Sequence, residues 1–164
     1  MRVILFHPRT FHERNYRNFW IPYSILSVGS ELKNNGYDIL LIDNNLEMLE
    51  NEGFSGLVKK VLTDDTIFIG ISCMIGHQIR EGLQFASAVR EADSNIPLIW
   101  GGPAPTIISD YFVRSSLVDV IVRGQGEATA NELACRLSNH LPISIKDVRG
   151  TWCRTDGGFL KNPE

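Results

Sequence analysis

The sequence predicts an α/β domain of the flavodoxin-like (Rossmann-type) class: a doubly wound, five-stranded parallel sheet with a short β extension at the C-terminus. Three observations lead there. Five short aliphatic and β-branched runs recur along the 164 residues, each followed by a stretch of helical character. Several of these runs are apolar nearly throughout instead of alternating, the pattern of strands covered on both faces. Strands alternating with helices give a parallel sheet, and right-handed crossovers place helices on both sides of it.

The elements follow in order. The first strand is RVILFH (2–7). A basic and aromatic connection comes next, HPRTFHERNYRNFW (7–20), with Arg9, Arg14 and Arg17 among Phe11, Tyr16, Phe19 and Trp20. Connections this long in an α/β unit tend to carry function. A helix is expected over 22–35, with Gly36 standing where a helix-ending glycine belongs. YDILLID (37–43), a helix over 53–63 and TIFIGIS (66–72) continue the alternation. In the helix expected over 77–92, Ile79, Leu83, Phe85, Ala86 and Val89 give one apolar face at helical spacing. PLIWGG (97–102), a helix over 106–116, VDVIVRG (118–124) and a helix over 126–139 complete five βα units. From about Lys146 the pattern changes, and DVRGTWCRTDGGFLKNPE suggests two short strands around the turn TDGG. The expected division is a domain over 1–143 and a hairpin linker over 144–164 that leads on into a longer protein.

Hydrophobic residues make up 43% and charged residues 21%, the composition of a globular domain. No apolar run is long enough to span a membrane or to serve as a signal-peptide core, so no membrane association and a cytoplasmic location are expected. The net charge of −3 offers no general attraction to nucleic acid. Cys73, Cys135 and Cys153 match no CxxC spacing, and no disulfide framework or metal site is expected from them.

In a doubly wound sheet, ligands sit outside the carboxyl ends of the strands. Those ends carry HPRTF, SCMIG, GGPAPT and GQGEAT, and three of the four contain glycine. Glycine lets a backbone approach a ligand closely, which singles out Gly101 and Gly102 ahead of Pro103 and Pro105. GQGE holds Thr129 where the third glycine of a dinucleotide fingerprint would fall, and no GxxxxGK[ST] loop occurs. Ser72 lacks a GxSxG context, and His7, His12, His77 and His140 are scattered, so no catalytic residue is expected.

GISCM (70–74) followed by GG (101–102) resembles the Ser-x-Leu…Gly-Gly pattern of cobalamin-binding domains. IPYSILSVGSELKNNGYDILLID, GGPAPT and VDVIVRGQGEATANEL are together similar to the N-terminal cobalamin (B12)-binding domain of radical SAM enzymes. The resemblance implies that the cofactor's nucleotide tail enters the crevice between the loops at Ser72 and Gly101. Ser72 would hydrogen-bond the dimethylbenzimidazole, Met74 would stand beside it, and Gly101 and Gly102 would leave it room. Pro103, Thr106, Gly124, Gly126 and Glu127 are further implied cofactor contacts, with Cys73 and Gln78 as lesser ones. Ala104 replaces the family's usual His and Gln125 the first Glu of its GEGE. The Asp-x-His-x-x-Gly motif is absent, so no histidine ligand to cobalt is implied, and the loop after the first strand would lie under the corrin. Arg9, Arg14 and Arg17 would pair with the cofactor's phosphate or a neighbouring domain.

No CxxxCxxC triplet occurs. A [4Fe–4S] cluster and S-adenosylmethionine are therefore expected only in a downstream radical SAM domain of the same polypeptide. The chain would present cobalamin, and the whole enzyme would transfer methyl groups or close rings. Two alternatives stay open: a cofactor-free scaffold domain, and a flavin- or nucleotide-binding module. The latter lacks support in HPRTFHE, which has no Gly/Ser/Thr run for a phosphate.

Overall fold

The apolar runs form strands and the stretches between them helices, in a computed structural model that describes residues 1–10, 21–46, 53–141, 147–155 and 157–163. The order is β1 (Arg2–His7), α1 (Tyr23–Asn34), β2 (Asp38–Asp43), α2 (Gly53–Val61), β3 (Thr66–Ser72), α3 (His77–Ala92), β4 (Leu98–Gly101), α4 (Pro103–Ile107) and α5 (Ser109–Val113). Then come β5 (Val120–Val122), α6 (Glu127–Ser138), β6 (Thr151–Thr155) and β7 (Gly158–Lys161).

The sheet runs β2-β1-β3-β4-β5-β6-β7. Its first five strands pair in parallel, the flavodoxin-like order, and the direction of winding switches between β1 and β3. The C-terminal extension joins this same sheet. Strand β6 lies antiparallel to β5, with Val120 opposite Cys153 and Val122 opposite Thr151, and β7 folds back on β6 as a hairpin. Among the described residues the sheet therefore has seven strands, five of them parallel.

Both faces are covered, which is why the strands could not alternate with polar residues. Helices α2 to α5 pack over Phe6, Ile69, Ile71, Trp100 and Ile121. Helices α1 and α6 pack over Val3, Leu5, Phe68, Ile99 and Val122. Where the sequence suggests one helix over 106–116, two short helices stand, and they start earlier. Pro103 takes the first position of α4, where its missing N–H leaves nothing unpaired. Ile108, at φ −116° and ψ 42°, then interrupts the helix before α5. Among the described residues, no helix is long and apolar enough to cross a membrane.

Candidate functional site

Between the sheet and helices α1 and α6, at the carboxyl edge of the strands, lies a cleft of about 170 Å³. That is the scale of the ~150 Å³ apolar cavity that takes up benzene, room enough for an aromatic ring system. Leu5, Phe68, Gly70, Ile99 and Val122 form its floor, one or two from each of β1, β3, β4 and β5. Ile25 and Val28 of α1 and Ala130 of α6 form its walls.

Two glycines give the cleft its shape. Gly70 pairs with Leu5 on one side and Ile99 on the other. A Cβ on it would come within 2.6 Å of Leu5 Cδ2, so bare backbone here lets Leu5 lie across the strand. Gly102 adopts φ 94°, and a Cβ on it would stand 2.8 Å from the Cys73 carbonyl oxygen and 3.1 Å from Ser72 Oγ. Only glycine lets the loops after β3 and β4 approach this closely. Ser72 pairs with Gly101 across the strands, so its hydroxyl stands beside backbone that carries no side chain.

Hydroxyls of α1 reach across the mouth. Ser72 Oγ donates to Ser24 Oγ at 2.8 Å, and Ser27 Oγ donates to Glu127 Oε1 at 2.6 Å. The Ser27 hydrogen bond, with help from the amides of Glu127 and Gly126, holds the Glu127 carboxyl below the usual carboxylate range.

The structure brings Ser72, Gly101, Gly102, Gly124, Gly126 and Glu127 together on the cleft, and the exposed Gln125 joins them at the mouth. The other candidates stand elsewhere. Thr106 lies behind the mouth, donating to the Gly102 carbonyl at 2.9 Å and accepting from the Gly124 amide at 3.2 Å, so it ties the two glycine loops together. Pro103 is exposed at the start of α4. The Met74 side chain is 53% exposed and does not line the cleft. Cys73 points to the opposite face of the sheet, where burial pushes its thiol up to about 12. Ala104 is fully buried on that same face.

Gln78 is buried and holds loops together. It accepts from the Met74 amide at 2.7 Å and donates to the Pro8 carbonyl at 2.9 Å. One turn on, Glu81 accepts from Asn44 Nδ2 at 2.8 Å and pairs with the Arg9 guanidinium at 3.1 Å. Arg9 is thus engaged with a buried carboxylate, whereas Arg14, Arg17 and His12 lie outside the described residues. His7 is 8% exposed, and its burial favours the neutral ring against the pull of Asp43.

Sequence reasoning passed over Ser24, Val28 and Gly70. Gly70 did carry a signal, since a glycine inside a strand marks a close approach. Ser24 carried none, because its partner is 48 residues away.

Residues 14–134 match the family model of the B12 binding domain. The chain belongs to that family. This B12-binding domain is 29% identical over 132 residues to the anaerobic magnesium-protoporphyrin IX monomethyl ester cyclase of Synechocystis sp., covering 77% of this chain and 25% of the cyclase. It is 31% identical over 111 residues to the 2-(S-pantetheinyl)-carbapenam-3-carboxylate methyltransferase of Streptantibioticus cattleyicolor, covering 64% of this chain and 14% of that enzyme. The chain therefore spans a quarter or less of these relatives. Its fold is shared with the radical S-adenosylmethionine methyltransferase TsrM from Kitasatospora setae, with a TM-score of 0.81 at 16% identity over 99% of this chain and 30% of TsrM.

The cleft fits a planar, largely apolar group. It offers bare backbone at Gly101, hydrocarbon walls and one pair of hydroxyls at the mouth.

Proposed function

We propose that this domain binds cobalamin with the nucleotide base in the α1/α6 cleft and displays the corrin at the carboxyl edge of the sheet. A radical SAM domain downstream in a longer polypeptide would hold the [4Fe–4S] cluster and S-adenosylmethionine and act on the substrate. The hairpin β6–β7, which extends the same sheet, would pass the chain on toward that domain. The observation that carries this reading is the apolar cleft closed by Ser72, Gly101 and Gly102 in a chain of the B12-binding family.

The cofactor supplies alkyl transfer at cobalt, and the protein around it supplies binding and orientation. Ser72 would donate a hydrogen bond to the base's ring nitrogen. Gly101 and Gly102 leave the plane of the base unobstructed, and Val28 and Ala130 exclude water from it. Methyl transfer to an unactivated centre is the whole-enzyme activity best supported, because two of these relatives are named methyltransferases. Ring formation is the alternative that the cyclase's name supports.

Desalting after incubation with hydroxocobalamin tests the cofactor reading. The chain should retain cobalamin with an absorption spectrum shifted from that of the free cofactor. Ser72→Trp, which fills the mouth, should lose retention while its far-UV circular dichroism stays unchanged. If the unaltered chain retains nothing, the scaffold reading replaces this one.

A further inference from the structure

We infer that the cleft selects among cobamides by their lower base, accepting a benzimidazole and rejecting a purine. The inference rests on the proposed placement of the base and adds a specificity to it. Ser72 and Ser24 form a single hydroxyl pair at the mouth, 2.8 Å apart. When a ring nitrogen arrives there, the Ser72 proton turns to it, and Ser24 donates to Ser72 in its place. One hydrogen bond is thereby provided, at the edge of the base nearest solvent.

Below that pair the side chains are hydrocarbon: Leu5, Val28, Phe68, Ile99, Val122 and Ala130. Five of these six are buried, between 1% and 6% exposed. The backbone beneath them is committed to the sheet, where Gly70 pairs with both Leu5 and Ile99. A benzimidazole turns a hydrocarbon ring toward this interior. A purine turns a ring bearing two further nitrogens and, in adenine, an exocyclic amine. Those atoms would leave water and find no partner, a penalty that falls on each unpaired group. Discrimination of this kind is modest, on the order of 10- to 100-fold, because an apolar pocket rejects an added polar group less strongly than a hydrogen-bonding site rejects its absence.

The test compares hydroxocobalamin, the corresponding cobamide with adenine as lower base, and cobinamide, which has no nucleotide. Affinities for the unaltered chain are measured by equilibrium dialysis. Each is corrected for the fraction of free cofactor whose base is already off the cobalt, read from its own acid titration. The adenine form should bind about 10-fold or more weakly than the benzimidazole form. Val28→Ser places a hydroxyl in the half-buried cleft wall and should narrow that ratio. Equal corrected affinities for the two bases, or a ratio unchanged by Val28→Ser, overturn the selection by the cleft while cobalamin binding stands. Failure to bind any of the three corrinoids overturns the proposed function itself.

Discussion

A methyl group added to Gly102 would meet the Cys73 carbonyl at 2.8 Å in a backbone conformation of φ 94°, whereas one added to Gly101 would find only the Val122 carbonyl at 3.8 Å. Gly102→Ala should therefore cost about 1–3 kcal/mol of stability, and Gly101→Ala less than about 0.5 kcal/mol, read from urea midpoints. The two positions look alike in GGPAPT, and nothing local distinguishes them. The difference comes from the neighbouring loop after β3, which the sequence places only in outline. Ser72, Gly101, Gly102, Gly124 and Gly126 were legible because they stand at or just beyond strand ends, unlike Gly70 inside β3. Cys73 follows Ser72 directly and turns to the opposite face, because side chains alternate along the extended chain, whereas Gln78 lies in the first turn of α3 and is taken up by the loops after β1 and β3. The buried thiol of Cys73 has a consequence in alkaline solution. The folded chain holds its proton up to about 12, and the unfolded chain loses it near the ordinary 9.0. The folded state binds the proton more tightly, so its contribution is complete below pH 9 and is lost as pH rises toward 12. Urea midpoints should fall across that window, and Cys73→Ala should remove a slope of up to about 1.4 kcal/mol per pH unit.

Helix α3 does more than cover a face of the sheet. Its first turns send Gln78 and Glu81 into the loops beyond β1 and β2, and those bonds fix the rim of the site from below. Glu81→Leu would strand Arg9 and Asn44 in surroundings where their groups are mostly buried. It should lower stability by about 3 kcal/mol by chemical denaturation. The pair Arg136–Glu132 on the surface of α6 is more exposed, and Glu132→Gln should cost less than about 0.5 kcal/mol in the same assay. Apolar periodicity located β1 to β5 and the longer helices within a residue or two, because two-sided burial writes itself into the sequence. It misjudged the region after β4, where Pro103 begins a helix that has too few turns to show a period. The latch on Arg9 was illegible for a different reason: its partner is 72 residues away.

At the scale of the whole molecule, the hairpin is structural. Strand β6 covers the edge of β5, the Arg123 amide donates to the Gly150 carbonyl at 2.8 Å, and Val148 and Cys153 enter the core under α1 and α6. Ending the chain after residue 141 would bare the β5 edge, a row of apolar residues with unpaired backbone groups. Such a truncation should elute in gel filtration as larger species than the full chain forms at the same concentration. The cleft is built the same way, from distant parts: Ser27 and Glu127, which meet over it, are 100 residues apart. At ribosomal rates of about 5–20 residues per second, roughly 5–20 s pass between the synthesis of those two residues. Until α6 is made, the cleft lacks the wall that Glu127 and Ala130 supply. Loading is consequently an event of the finished domain, and a ligand that binds only the finished domain draws the folding equilibrium toward it. A cell starved of corrinoid would then hold less of the folded protein, with no regulator needed to sense the shortage.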